Sequence, residues 1–184
     1  MRLPVWDEPR VIGCAEDFPQ HIALPRGCLE AALTLLRENG IRPELHDERS
    51  AGTALQVQFR GALRPDQQQA VDAMLAHDTG VLCAPTAFGK TVTAAAQIAA
   101  RGVNTLILVH RAELLRQWRE RLQTFLAATD GGGGSGPSIG AIGGGKSKPT
   151  GLIDIALMQS LCRQGEVNAL VEDYGHIVVD ECHH

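Results

Sequence analysis

The chain has few aromatic residues, no long apolar run, no Cys-x-x-Cys pair and no overall basic charge. Seven aromatic side chains in 184 residues leave little for stacking platforms, which argues against base-specific recognition of nucleic acid. No apolar run approaches the roughly 20 residues that span a bilayer. The N-terminus, Met1–Pro9, lacks the apolar stretch of a signal peptide, so the expectation is a cytoplasmic protein without a membrane partner. The cysteines (Cys14, Cys28, Cys83, Cys162 and Cys182) are odd in number and dispersed, which suits a reducing compartment rather than a disulfide framework. A formal net charge of −4 excludes a wholesale basic coat, and any nucleic-acid binding must come from a local face. With 44% hydrophobic residues the chain has enough apolar material for a real core.

What the sequence does contain is organised around Gly80–Thr91, G-V-L-C-A-P-T-A-F-G-K-T. It reads as a short buried strand, a tight turn and the start of a helix. The turn follows G-x-x-x-x-G-K-[ST] with Ala84 in place of the first glycine. Such a turn binds anions, because successive backbone N–H groups and the positive end of the next helix converge on a phosphate chain. Ala84, Pro85, Thr86, Ala87 and Phe88 form the loop, and Gly89 lets the backbone approach. Lys90 supplies a cation to the β- and γ-phosphates and Thr91 a hydroxyl to Mg²⁺. ATP with Mg²⁺ is the expected ligand.

Residues 1–62 read as a small α+β unit without catalytic spacing. It holds a strand candidate at Val11–Cys14, a helix over Cys28–Glu38 that stops at Gly40, and a half-exposed strand over Leu55–Phe59. From residue 63 to 184, helices and apolar runs alternate. Pro65 opens one helix and Lys90–Arg101 forms the next. Thr105–Val109 is a strand covered on both faces, followed by a helix from Ala112 to about Ala127, and Ile153–Leu157 and Ile177–Val179 are further buried strands. That alternation predicts an α/β fold with a largely parallel sheet, whose ligands sit beyond the carboxyl ends of the strands. Asp130–Gly151 is glycine-rich. Two readings of Gly131–Ser135 stand, an engineered linker and a natural surface loop.

The last strand ends in Asp180-Glu181-Cys182-His183-His184. In a phosphate-cleaving site the first carboxylate holds Mg²⁺ and the second orients the attacking water. A rival reading makes Cys182, His183, His184 and His176 metal ligands, although adjacent ligands lack the usual spacing.

Ala84–Thr91 together with Asp180-Glu181-Cys182-His183 resembles the first RecA-like lobe of superfamily 2 helicases, in the DExH branch. Four more stretches fall in that family's order. Leu63-Arg64-Pro65-Asp66-Gln67 looks like its adenine-reading segment, with Gln67 on the base edge and Gln68 the fallback. Val109–Trp118 is similar to motif Ia, Gly143–Lys148 to a glycine-containing loop that grips the nucleic-acid backbone, and Ile155–Leu161 to motif Ic. The resemblance implies a RecA-like P-loop lobe and an ATP-dependent helicase or translocase. It implies contacts to DNA, with RNA not distinguished, from Arg111, Arg116, Lys146, Lys148 and Gln159. Between Arg111 and Lys148 six Lys/Arg stand against three Asp/Glu, a local excess suited to phosphate contacts. Trp118 and Met158 read as core residues.

A narrower resemblance covers Phe18–Gly27 and Asp47-Glu48-Arg49, which look like the segment before the helicase core in bacterial proteins of the type III restriction-subunit style. Some of these carry a primase-like domain further upstream, in the so-called TOTE conflict systems. The sequence departs from the family pattern at Ala87, where a glycine is frequent, and at bulky Phe88. It stops at His184, before the expected motif that couples hydrolysis to movement and before a second RecA-like lobe. The expectation is weak Mg·ATP binding and almost no hydrolysis by the chain alone. Two other classes stand beside it: a non-catalytic ATP-binding regulatory module, and a small-molecule P-loop kinase, for which the sequence has no recognisable Arg-rich lid and which leaves the Asp-Glu-Cys-His box unexplained.

Overall fold

The computed structural model describes residues 13–129, 136–163 and 166–182, apart from the side chains of Arg26, Lys146 and Arg163. Contacts divide the chain into two units, Met1–Asp47 and Glu48–His184. In the first, β1 (Glu16–Phe18) and β2 (His21–Ala23) form an antiparallel hairpin. A 3₁₀ turn then leads into helix α1 (Leu29–Glu38), and Gly40 leaves it at φ +74°, a conformation glycine adopts at no steric cost. The expected strand at Val11–Cys14 is not found in its described part: Val11 and Ile12 lie outside the described residues, and Gly13 and Cys14 precede β1.

The second unit begins before residue 62. Strand β3 (Val57–Phe59) is followed by helices α2 (Pro65–Leu75) and α3 (Lys90–Arg101), strand β4 (Thr105–Val109), helix α4 (Ala112–Phe125) and strand β5 (Leu126–Ala128). β3 pairs antiparallel with β5, which ties the half-exposed strand to the second unit and moves the boundary to Asp47. The same pairing shortens α4. Leu126 and Ala127 continue the helical periodicity but are captured as a strand, with the Arg60 N–H bonded to the Phe125 carbonyl at 2.7 Å.

After β5 come β6 (Ile139–Gly143), β7 (Lys146–Lys148), β8 (Ile153–Leu157), the short helix α5 (Met158–Leu161), a small hairpin of β9 (Cys162–Arg163) and β10 (Glu166–Val167), and β11 (His176–Val179). The main sheet runs β11-β4-β8-β6-β7, parallel except for the β6–β7 hairpin. This is the mostly parallel α/β arrangement the alternation predicted. Period-two alternation buries both faces of the sheet. Ile107, Val109, Ile153 and Ile155 pack on Ala95 and Ile98 of α3 and on Trp118 and Leu122 of α4. Leu106, Ala156 and Ile142 pack with Leu161 and Tyr174 on the other side.

One expected strand is absent. Val81–Ala84 carries no ladder bonds, and Val81 is 77% exposed. Its apolar content suits a strand, but no described strand lies alongside to supply the pairing that a parallel sheet requires. β11 is correspondingly an edge of the sheet, with Ile177 and Val179 exposed.

A buried polar knot fixes the end of the sheet opposite the phosphate turn. Asn104, 2% exposed, accepts the N–H groups of Thr53 and Gly175 and donates to the carbonyls of Gly151 and Asp173. Its own carbonyl accepts the His176 N–H, the first residue of β11. Asp154, fully buried, accepts from Thr150, Gly151 and the Tyr174 hydroxyl. Burial, with the Asp154 hydrogen bond next, pushes the Tyr174 pKa above its ordinary value. The Gly52 backbone (φ +70°) crosses against Gly175 so closely that a Cβ on either would meet neighbouring backbone within about 2.6 Å. Only glycine permits that crossing.

His176 adds a pH response. Burial, then the nearby Arg101 charge, pushes its imidazole down to about 4 from an ordinary 6.5, and Nδ1 lies 3.2 Å from the Thr105 hydroxyl. The folded state therefore keeps the imidazole neutral where the unfolded chain already binds a proton. This contribution to stability is fully present above about pH 6.5 and is lost as pH falls toward about 4, up to roughly 3 kcal/mol. Urea unfolding of the native chain and of His176→Gln at about pH 7 and about pH 4.5 checks this. The acid loss is expected to be smaller in the variant, and an equal loss contradicts the assignment.

Candidate nucleotide site

The phosphate turn is held from behind by α2. Pro65 starts that helix with a preset φ, and the Arg64 N–H at its N-cap is accepted by Gln67 Oε1 at 3.0 Å. Gln67 Nε2 donates to the Phe88 carbonyl at 2.7 Å, and Arg64 Nη2 donates to the same oxygen at 2.8 Å. The Arg64 guanidinium also lies 5.7 Å from the centroid of the Phe88 ring and pairs with Asp66, whose carboxyl it holds below the usual range. Gln67 is 4% exposed, and in this structure both ends of its amide engage backbone. Phe88 is thus the handle by which α2 grips the turn. Arg64 was not singled out from the sequence, although its place three residues before Gln67 at a helix N-cap is the signal.

Inside the turn the backbone is left-handed twice, at Ala87 (φ +67°) and Gly89 (φ +89°). Glycine takes this conformation freely, while alanine carries a strain of about 1 kcal/mol, a cost typical of functional loops. α3 then starts at Lys90, with the Val92 and Thr93 N–H groups bonded to the Gly89 carbonyl. Its apolar side sits in the core through Ala95 and Ile98, so the helix N-terminus is rigidly placed at the turn.

β11 delivers the second half of the site. The Asp180 N–H is bonded to the Leu108 carbonyl at 3.0 Å, which fixes where the strand ends. Glu181 follows at φ +53°, a left-handed residue that turns the chain out of the strand. Its Oε1 meets Lys90 Nζ at 3.1 Å, a half-exposed pair spanning 91 positions of sequence. Asp180 and Thr91 line one cleft of about 460 Å³ together with Gln117, Trp118 and Arg121. A hydroxyl and a carboxylate are hard oxygen donors, the set a magnesium ion prefers. The donor chemistry fits Mg²⁺, and the Lys90 ammonium is a cation at the same turn. Lys90, Thr91, Asp180 and Glu181 are brought together.

Among the described residues no group of three His, Cys, Asp or Glu side chains is placed to hold a metal. His176 begins β11 and Cys182 follows its end, so the strand separates them. His183 and His184 lie outside the described residues, as does Gly131–Ser135.

Of the remaining predicted residues, Arg111, Gln159 and the turn before Lys146 lie at the carboxyl edge of the sheet, while Arg116 is a turn into α4 and Lys148 pairs with Ala141 in the middle of β6. Arg111 caps α4 and is exposed, and Arg116 is exposed with Glu120 at 3.6 Å. Gln159, also exposed, donates to the His110 carbonyl at 3.2 Å and so links the segment after β4 to α5. The turn between β6 and β7 packs here too. A Cβ on Gly143 (φ +108°) would come within 2.6 Å of the Ser160 hydroxyl, and one on Gly144 within 3.9 Å of Leu115. Lys148 is exposed on β7, which also carries Lys146. Gly143 and Gly144 therefore form part of a hairpin turn seated against α5 and α4.

Residues 60–184 match the family described as type III restriction enzyme, res subunit, which is more than half of the chain. The chain belongs to this family. Its second unit is a RecA-like first lobe of the superfamily 2 helicase type. It is similar to the Rad25 protein of Halobacterium salinarum, 36% identical over 135 residues, which cover 73% of this chain and 21% of that protein. It is also similar to the DNA 3′-5′ translocase XPB2 of Sulfurisphaera tokodaii, at 31% identity over 66% of this chain and 25% of that protein. The DNA 3′-5′ helicase XPB of Mycobacterium tuberculosis is 33% identical over 66% of this chain and 22% of its own length. The chain thus spans about a fifth of the length of the Rad25 relative. No helix among the described residues is long and apolar enough to cross a membrane.

Proposed function

We propose that the chain is the ATP-binding lobe of a DNA motor, a helicase or translocase completed by a second RecA-like lobe, with the residues before Glu48 as a small accessory unit. The observation that carries this reading is the meeting of Lys90 with Glu181 at 3.1 Å, beside a cleft shared by Thr91 and Asp180. That is where phosphate, metal and attacking water must converge. Relatives named as DNA helicases and a DNA translocase supply the class of activity.

In this assignment the loop Ala84–Gly89 wraps the phosphates with its backbone N–H groups, and Lys90 neutralises their charge. Thr91 and Asp180 would hold Mg²⁺, which when bound would supply polarisation of the phosphate oxygens. Glu181 orients water and accepts its proton. Gln67 braces the turn and is assigned the adenine edge through the remaining hydrogen of its amide. Arg111, Arg116, Lys146, Lys148 and Gln159 are assigned to the DNA backbone, supported by the convergence of their three segments on one sheet edge.

The test is ATP hydrolysis by the polypeptide that joins this lobe to a second one, with and without DNA. Hydrolysis is expected to rise on adding DNA, and the rise is expected to weaken with salt, as phosphate contacts require. Nucleotide binding without DNA-stimulated hydrolysis would favour the non-catalytic module instead.

A further inference from the structure

Trp118 is buried to 5% exposure in α4, yet its indole has a polar task. Nε1–H donates to Asp180 Oδ2 at 2.7 Å, across 62 positions of sequence. A buried indole N–H requires an acceptor, and the backbone acceptors within a helix are already bonded to its own N–H groups. Here the acceptor is the carboxylate assigned to the metal, within the cleft that Thr91 also lines. A bond from a neutral donor to a charged acceptor at this length is among the strong ones.

We infer that Trp118 is a positioning residue for Asp180: its indole engages Oδ2, fixes the carboxylate rotamer and leaves Oδ1 as the oxygen presented to the cation. The inference rests on the reading of Asp180 as the metal carboxylate. Three observations support it. The Asp180 backbone is already pinned by the Leu108 carbonyl, so its side-chain torsion is what remains to be set. Trp118 cannot swing away, because it packs in the core with Leu122, Ile107 and Val109. And Asp180 directly follows β11, an edge strand with no outer sheet neighbour among the described residues. Outer-shell hydrogen bonds of this type set both the orientation and the basicity of a ligand. Helix α4, whose N-cap is Arg111, thereby also carries the group that aims the metal carboxylate.

The test uses two readouts. The chain's other tryptophan is Trp6, so a Trp6→Phe chain labelled with ¹⁵N shows a single indole N–H resonance. Asp180→Asn is expected to move that resonance upfield, because a charged acceptor becomes a neutral amide, while Lys90→Ala leaves it near its native position. A resonance indifferent to Asp180→Asn overturns the inference, and this readout leaves Trp118 intact, so it does not depend on how well a Trp118 variant folds.

The second readout is ADP affinity with and without Mg²⁺. Trp118→Phe is expected to reduce the Mg²⁺-dependent gain in affinity about tenfold, the scale of outer-shell substitutions, with metal-free ADP affinity changed less than about twofold. Equal weakening with and without Mg²⁺ marks a merely structural tryptophan and overturns the inference. Undiminished Mg²⁺ gain in Trp118→Phe also overturns it, and leaves the phosphate-site reading standing. Absence of any Mg²⁺ effect in the unmodified chain instead removes the metal assignment of Asp180, and the inference falls with it.

Discussion

Asn104→Ala is expected to lower the stability of the lobe by about 3–5 kcal/mol, near the upper end for a single substitution. Four hydrogen bonds end on this one amide, and it is 2% exposed, so water cannot replace them. Its partners, the N–H groups of Thr53 and Gly175 and the carbonyls of Gly151 and Asp173, belong to three separate segments, since Asp173 and Gly175 both precede β11. Deleting the amide leaves buried donors and acceptors unpaired, and each carries a desolvation penalty. Asn104→Asp separates the two halves of the effect, since a carboxylate still accepts from Thr53 and Gly175 but donates nothing and buries a charge. Denaturant midpoints at constant slope measure both variants. A loss under about 1 kcal/mol for the alanine variant contradicts the role of Asn104 as the knot. The consequence reaches the site, because the knot sets the start of β11 and β11 sets where Asp180 and Glu181 emerge.

Glu181→Gln, in the polypeptide completed by a second lobe, is expected to slow ATP hydrolysis about 10²- to 10⁴-fold, the usual yield of a positioned general base. Affinity for Mg·ATP is expected to be retained or to tighten. In the free site Glu181 competes for the Lys90 ammonium at 3.1 Å, and removing its charge releases Lys90 to the phosphates. The pair is half exposed, so its loss costs the fold little. Single-turnover hydrolysis alongside equilibrium binding checks both halves. Unchanged hydrolysis would move the water-orienting role to another residue, and a collapse in affinity would make Glu181 a structural partner of Lys90.

Much of the lobe was legible because its signals are local. The helix from Lys90 to Arg101 lies between Gly89 and Gly102, both left-handed, and its inward residues recur at helical spacing. β4 announces itself as an apolar block that needs cover on both faces. What was misread depended on partners distant in sequence. Leu126 and Ala127 fit a helix until β3 arrives to pair with them. The residues from Ile139 to Gly145 look like loop by composition, yet small residues let β6 lie within the sheet: a Cβ on Gly140 would collide with Asp154. Val81–Ala84 has the composition of a strand and no described neighbour. In the candidate site, the residues that the structure brings together, Lys90 and Thr91 with Asp180 and Glu181, were nameable from spacing because each pair is contiguous. Arg64 on Phe88, Trp118 on Asp180 and the Asn104 knot were not legible, because each joins residues between 24 and 71 positions apart.

The central claim is that Ala84–Thr91 and Asp180 form a Mg·ATP site, and calorimetric titration of Mg·ATP into this chain beside Lys90→Ala tests it most directly. The account predicts weak but measurable binding that Lys90→Ala lowers about tenfold or more, the worth of a charge-assisted contact to phosphate. Binding that ignores Lys90→Ala in a folded chain would contradict it.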